Sequence, residues 1–569
     1  MKDFRASIAK LLVAQNIGLE EEQILRAVET PPTADLGDYA FPCFALAKVL
    51  RKSPQLIAEE LAQKVRAEWL SRVEAKGAYL NFYIAAQALV EETLGAIYRD
   101  GERYGASDEG AGKTVCIDFS STNIAKPFHI GHIRSTVQGD AIASIYEFLG
   151  YRTVRINYLG DYGTQFGMLI NAYRMWGDEQ ALEADPIHEL LRLYVRYNAE
   201  AKENAELQER ARDSFHLLEQ GREEETALWK RFKELSLREF QRVYDLLNIR
   251  FDSWDGEFYH SQFIGEVLSE LKEKELLVLD DHAMIIPLGE EMPPALILKS
   301  NGSSTYITRD IATACHRKKV YDFDESIYVV GTQQNLHFRQ LKAVLHKMGY
   351  DWADQVEHVP FGMISLKDGA MSTRSGNVVF LEDVLNNSIQ KTRQIMEERN
   401  PELENKDEVA KAVGIGAVKF QELYNNRIKD YTFSWEDVLN FDGESGPYVQ
   451  YSAARANRVV WRAAEEFGMM PGYPVDGALL SAEEEHQLLR RLYDFPGTIE
   501  QAKTNKEPSL ITRQVTEIAK AFNKFYNRIP VLNAPTPELV RARLSLVAAS
   551  GRVIRIGLRL LGIASPDRM

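Results

Sequence analysis

The stretch Val115 to Tyr151, VCIDFSSTNIAKPFHIGHIRSTVQGDAIASIYEFLGY, limits what this chain can fold into more than any other. It opens on a short apolar, β-favouring run, Val115 to Phe119, and breaks into a polar turn at Ser120 to Asn123. Pro127, whose fixed φ suits the threshold of a helix, closes the turn. Ile133, Val137, Ala141, Ile145 and Leu149 then recur every four residues as a buried helical stripe, with Gly150 placed to end it. The stretch therefore predicts strand, loop and helix, with His129, Gly131 and His132 at the helix mouth. Unpaired N–H groups and a partial positive charge make such a mouth attractive to phosphate. Two imidazoles can add donors there, Gly131 lets a flat ligand approach the backbone, and Lys126 brings a mobile cation.

Around this unit the rest of the chain falls into segments. Residues 1–108 form a first unit with helical patterns at Ile8 to Leu12, Ile24 to Val28, Ala45 to Leu50 and Ile57 to Val65, then a strand in GAYLNFYIA. The glycines Gly105, Gly110 and Gly112 mark a linker. Val154 to Tyr158 is a further strand, and Asp161 sits in the tight loop after it, where open α/β sheets form their ligand crevice. A charged, helical insertion follows, assigned to about 171–300. Within its end LLVLDDHAMIIPL and PPALILK read as strands, and Thr308 is expected to cap a helix that carries Asp310 in its first turn. Ile327 to Val330 is a buried strand, Gly331 to Gln334 a loop, and a helix follows. From about Val409 onward the pattern is helical.

Composition excludes several classes. Three scattered cysteines, Cys43, Cys116 and Cys315, with no C-x-x-C pair argue against a disulfide framework or a structural zinc and suit a reducing cytosol. The N-terminus lacks the apolar core of a signal peptide and no run suits a bilayer, so a cytoplasmic protein with no membrane partner is expected. The formal charge of −15 runs against a nucleic-acid partner, yet residues 511–569 hold ten Lys and Arg against three acids. That basic tail favours RNA.

The sequence SSTNIAKPFHIGH resembles the first signature, HIGH, of class I aminoacyl-tRNA synthetases, and S-x-N-x-x-K-P-x-H-x-G-H resembles that of the arginyl-tRNA synthetases. The resemblance runs from about residue 31 to Met569 in family order. It implies a Rossmann-type parallel-sheet catalytic domain (109–385) with a helical insertion, an N-terminal α+β tRNA-contacting domain (1–108), a helical connecting region (386–445) and a C-terminal helical anticodon-binding domain (446–569). The implied reaction joins L-arginine to tRNA(Arg) through arginyl-adenylate, with ATP and Mg²⁺ as the nucleotide substrate. His129, Gly131 and His132 would meet ATP together with Met371, Ser372, Thr373 and Arg374, which stand where the family's second signature loop lies. Both lysines usual in that loop are missing, and Lys126 is the substitute charge the resemblance implies. Lys126, His129, His132 and Arg374 are thus the candidate catalytic set.

For arginine the resemblance implies Ser121, Asn123, His132, Tyr306, Asp310 and Gln334, with His337 nearby. The chemistry agrees: one carboxylate can grip the five-donor guanidinium fork in a bidentate way, and an aromatic ring can flank it. For tRNA it points to Asn81 and Phe82 in the first unit, and to Tyr448, Tyr451, Trp461 and Met569 in the last. No coiled-coil seam is legible, so a monomer is expected. The rival readings are a different class I synthetase or nucleotidylyltransferase, and a non-enzymatic RNA-binding relative.

Overall fold

The computed structural model describes residues 2–365, 379–434, 436 and 444–569. Its first unit packs the helices Phe4–Val13, Glu21–Ala27 and Pro54–Lys64 against an antiparallel sheet ordered Tyr39–Pro42, Tyr79–Ile84, Leu70–Lys76. The helix starts are chemically marked: Asp3 accepts from the Ala6 N–H at 2.9 Å, and Ser53 caps the helix that Pro54 opens. The Ala86–Asp100 helix leads out of the unit.

The second unit is a four-stranded, all-parallel sheet in the order Val356–Phe361, Glu325–Gly331, Thr114–Asp118, Arg152–Ile156. From the Thr114–Asp118 strand the chain moves outward to Arg152–Ile156, and it returns later to lay Glu325–Gly331 on the other side. The order therefore reverses between Thr114–Asp118 and Glu325–Gly331, and the carboxyl ends of these two strands are where an open α/β sheet forms its ligand crevice.

The helix predicted behind the histidines spans Ile133–Phe148, preceded by a 3-10 turn at Ile130–His132. It starts six residues after Pro127, so Pro127 belongs to the loop rather than the helix threshold. Gly150 follows its last turn with a left-handed φ of 87°. The expected apolar stripe is buried, but so are Arg134, Ser135, Thr136, Gln138 and Asp140 on the other faces. A helix covered on all sides must find partners for such groups. Ser135 donates to the Val329 carbonyl at 2.7 Å, and Asp140 pairs with Arg155 at 2.5 Å.

The segment between the two halves of the sheet is only partly helical. Helices run from Thr164 to Glu273, but Val278–Asp280, Ala283–Ile286 and Ala295–Leu298 form an antiparallel sheet. The alternation in LLVLDDHAMII outweighs the helical character of its neighbours. The next helix spans Tyr306–Tyr321 with Thr305 at its N-cap, one turn earlier than expected. Thr308 lies inside it and donates to the Ile297 carbonyl at 2.6 Å, a tertiary bond that the capping rule could not foresee.

Long helices complete the molecule: Leu381–Arg399, Lys406–Tyr424, Gly446–Phe467, Glu483–Asn505, Ser509–Arg528 and Pro537–Leu560. The N-terminal unit docks on them. Asp38 accepts from His486 at 2.8 Å and from the Ile84 N–H at 2.7 Å, and the Tyr104 hydroxyl donates to the Leu492 carbonyl at 3.0 Å.

Candidate active site

The crevice is floored by the loop that leaves the Thr114–Asp118 strand. Ser120, Ser121 and Ala125 hold φ values of 69°, 47° and 60°, a left-handed backbone that costs a non-glycine residue about 1 kcal/mol or more. Side chains from other elements hold it in place. The Ser120 N–H donates to Ser135 Oγ at 2.9 Å, the Ala125 N–H to Ser236 Oγ at 2.9 Å, and the Ser120 hydroxyl meets Tyr244 at 2.7 Å. The Gly160 N–H donates to the Thr122 carbonyl at 3.0 Å, and Asn123 crosses so close to Gly160 that a Cβ there would stand 2.2 Å from Asn123 Oδ1.

His129 and His132 lie ring against ring, their centroids 3.9 Å apart, in the turn before the helix. His129 Nδ1 accepts from the Gly131 N–H at 3.1 Å, which leaves the ring proton on Nε2. His132 Nδ1 lies 3.2 Å from the His129 N–H. Burial, and then the Lys126 charge, push His129 down to about 4. Burial and then His129 push His132 down to about 3. Both imidazoles are therefore neutral near pH 7, and His129 presents an N–H donor without a charge. The Lys126 ammonium lies over the Tyr194 ring at 5.5 Å.

Met371, Ser372, Thr373 and Arg374 lie outside the described residues. The described residues that follow them are bonded to the first signature. The Ile130 N–H donates to the Val379 carbonyl at 3.0 Å and the Leu381 N–H to the Phe128 carbonyl at 2.9 Å, while His188 stacks on Phe380 at 4.4 Å. On the other side Ile364–Ser365 pairs with Tyr431–Thr432, and the Met363 N–H donates to Asp430 at 2.5 Å.

Asp310 and Tyr306 lie one turn apart on the Tyr306–Tyr321 helix, so their side chains share a face. Asp310 Oδ2 is 2.5 Å from His337 Nε2, on the helix that Gln334 precedes at the end of the Glu325–Gly331 strand. Tyr306 is 69% exposed, and the Arg309 guanidinium lies 4.7 Å above its ring. Beneath them runs a buried pair: Arg317 donates to Asp118 Oδ2 at 2.7 Å, while Ser121 donates to Asp118 Oδ1 at 2.8 Å. Burial raises Asp118, Arg317 opposes that rise, and the Asp310 charge adds to it. Burial likewise lifts Glu257 to about 7, held back by Arg309 at 3.4 Å. Sequence reasoning passed over Asp118, Arg317, Arg309 and Glu257. The available signal was an acid ending an otherwise apolar strand run, which cannot be buried without a cation.

Several expectations move. Asp161 is fully buried and accepts from Lys233 at 2.8 Å and the Phe258 N–H at 2.8 Å, so it pins the insertion to the sheet. Asn81 and Phe82, expected at an RNA surface, are 2% and 0% exposed, because their strand is the middle one of its sheet. Half of the basic tail's ten cations pair with acids from elsewhere: Lys520 with Glu444 at 2.5 Å, Arg528 with Glu484 at 3.0 Å, Arg543 with Glu485 at 2.7 Å, and Arg552 and Arg559 with Glu102 at 3.6 and 3.4 Å.

A second cleft, of about 1430 Å³, lies among the C-terminal helices and brings together Tyr451, Trp461 and Met569. Arg568 covers the Trp461 ring at 4.7 Å, and Arg455 lies 4.7 Å over Tyr451. Glu408, Val409 and Ala412, from the first turns of the Lys406–Tyr424 helix, form part of the wall. Tyr448 packs instead on the main core. Among the described residues no helix is long and apolar enough to cross a membrane.

Residues 93–435 match the family model "tRNA synthetases class I (R), catalytic domain", residues 2–84 "Arginyl tRNA synthetase N terminal domain", and residues 449–569 "DALR anticodon binding domain". The chain is 49% identical over 571 residues to the arginine–tRNA ligase of Halothermothrix orenii, with all of both chains covered. It is also 49% identical over 571 residues, with the same coverage, to that of Clostridioides difficile. Its fold matches the solved Thermus thermophilus arginyl-tRNA synthetase with a TM-score of 0.83, 27% identity and full coverage of both chains.

Proposed function

This chain belongs to the arginyl-tRNA synthetase family, and from that premise we propose which residues carry out the reaction. It activates L-arginine with ATP to arginyl-adenylate and transfers the arginyl group to the 3′ end of tRNA(Arg), releasing AMP and pyrophosphate. In the first step a carboxylate oxygen of arginine attacks the α-phosphorus, and the bond to the leaving pyrophosphate breaks. No protein nucleophile is needed, so catalysis rests on positioning and charge neutralisation.

His129 and His132 lie where neutral ring N–H groups can donate to phosphoryl oxygens, with Gly131 giving the nucleotide room and Lys126 supplying charge. Met371, Ser372, Thr373 and Arg374 would face the leaving group. Mg²⁺ would arrive with ATP as part of that substrate. Asp310 grips the guanidinium, flanked by Tyr306 and Gln334, while Ser121 and Asn123 hold the α-amino and carboxylate groups. The units 1–108, 109–385, 386–445 and 446–569 divide the work, with Tyr451, Trp461 and Met569 meeting the tRNA anticodon. Tyr448 supports that surface from the core side. We take the working form to be a cytoplasmic monomer.

The observation that supports this reading best is that the loop leading to the paired neutral histidines binds Asp118 through Ser121, and that the Asp310 carboxylate is near enough for its charge to act on Asp118. ATP–pyrophosphate exchange with each amino acid, with and without tRNA, tests it. Exchange with arginine alone is expected, and no arginine signal from folded protein would overturn it.

A further inference from the structure

Arg134, the second residue of the Ile133–Phe148 helix, is fully buried and lies two residues beyond His132. Its Nη1 donates to the Gly362 carbonyl at 3.0 Å and the Lys429 carbonyl at 2.7 Å, and its Nη2 donates to the Asn426 carbonyl at 3.3 Å. Its Nε pairs with Glu422 at 2.7 Å, where the two side chains are 0% and 1% exposed. The Tyr431 ring lies 5.0 Å from the guanidinium, and the Tyr431 hydroxyl donates to the other oxygen of Glu422 at 2.5 Å.

This is an odd place for a cation. The N-terminal end of a helix repels positive charge, and burial without full pairing is costly. Helix stability does not account for it. The partners do: Gly362 precedes the strand Ile364–Ser365, which leads into residues 366–378, where the second signature stands. Asn426, Lys429 and Tyr431 lie in the chain that returns beside that strand, and Glu422 ends the Lys406–Tyr424 helix. The planar fork donates to three different pieces of backbone and pairs with Glu422, a geometry that an ammonium cannot reproduce.

We propose that Arg134 is a positioning residue for adenylate formation: through Gly362 and Glu422 it sets the segment leading into the second signature relative to the histidine turn. It touches no substrate. The proposal rests on the reading of the crevice as the site of arginine activation.

The test compares wild-type enzyme with Arg134→Lys and Tyr431→Phe. It uses arginine-dependent ATP–pyrophosphate exchange, adenylate stoichiometry for the active fraction, thermal melting and tRNA affinity. Arg134→Lys is expected to lower the exchange kcat by about 10–100-fold per active site, since small misplacements remote from the reacting atoms cost that much. The KM for arginine and the tRNA Kd should stay within about 3-fold of wild type. Tyr431→Phe keeps the ring and removes one hydrogen bond to Glu422. It is expected to melt like wild type and to lose about 3–10-fold in kcat, and it decides the matter if Arg134→Lys does not fold. Wild-type kcat per active site in Tyr431→Phe, or in a folded Arg134→Lys, would overturn the proposal. So would a loss that tracks the active fraction alone. Absence of arginine exchange in the wild type would instead remove the reading on which it rests.

Discussion

His337 already holds one oxygen of Asp310, at 2.5 Å, and in the proposed site the other takes the substrate guanidinium. In Asp310→Asn the amide N–H₂ would confront two sets of donors, the His337 ring and the substrate guanidinium, with one carbonyl oxygen between them. The KM for arginine should rise at least about 100-fold with the KM for ATP nearly unchanged, because a site built on polar pairing discriminates by leaving groups unpaired. Steady-state exchange kinetics check this. The histidines carry a different signature. Their folded values of about 4 and about 3 lie below the ordinary 6.5, so the unfolded chain takes up these protons first as pH falls. Their contribution is complete above pH 6.5 and is lost progressively as pH drops toward 4 and 3. Urea titrations at pH 7.5 and 5.0 should show wild type losing on the order of 1 kcal/mol more than His132→Asn. Equal losses would remove the histidine as the cause. These residues were legible because their chemistry is local, two imidazoles four positions from end to end. Arg134 and Glu422 were not, because nothing local joins two charges separated by just over half the chain.

At the scale of elements, the Ile133–Phe148 helix departs most from its sequence pattern. A four-residue stripe suggests one buried face, but the sheet covers one side and the long helices cover the rest. Gly139 marks the tightest contact: a Cβ there would stand 2.2 Å from Phe119 Cβ, and the Phe119 ring is itself packed on Phe251 at 4.7 Å. Gly139→Ala, a favourable change for an exposed helix, should here destabilise by about 1–3 kcal/mol through overpacking. Its denaturation midpoint is the readout, and a gain in stability would contradict the packing. Three of the four parallel strands were readable from their apolar, β-favouring runs, whereas Val356–Phe361, with its charged and imidazole side chains at Glu357 and His358, was not. Thr308 misled because Thr305, three residues earlier, is the same residue type and takes the N-cap position with its hydroxyl on the Leu296 carbonyl, while Thr308 inside the helix donates to Ile297. Phe82 misled differently, since an Asn-Phe pair in a strand looks the same in sequence whether that strand is central or at an edge.

The whole molecule is held together by contacts between its first and last units. Asp38, just before the Tyr39–Pro42 strand, accepts from His486 on a C-terminal helix, and the Tyr493 hydroxyl donates to the Lys2 carbonyl at 2.7 Å. Asp38→Ala leaves the buried Ile84 N–H unpaired and should cost about 1–3 kcal/mol. Hydrogen exchange should quicken in residues 39–42 and 79–84 and tRNA affinity should fall, while arginine exchange per active site stays near wild type. Unchanged protection in both strands would show that the contact is incidental. In the C-terminal cleft, Tyr451→Ala should weaken tRNA binding by about 1–3 kcal/mol if the ring stacks on a base, read as a Kd at fixed salt.

The Lys406–Tyr424 helix has one end in that cleft, at Glu408, Val409 and Ala412, and the other at Arg134, through Glu422. Its nineteen residues span roughly 28 Å, and each residue turns the helix by about 100°. The helix thus fixes a phase as well as a distance. One alanine inserted midway would leave the cleft wall in place and swing Glu422 about a quarter-turn off Arg134, whereas an insertion of about seven residues, near two full turns, would restore the angle but not the span. Its length in residues is therefore a dimension of the enzyme, one that evolution can change only by changing both sites together.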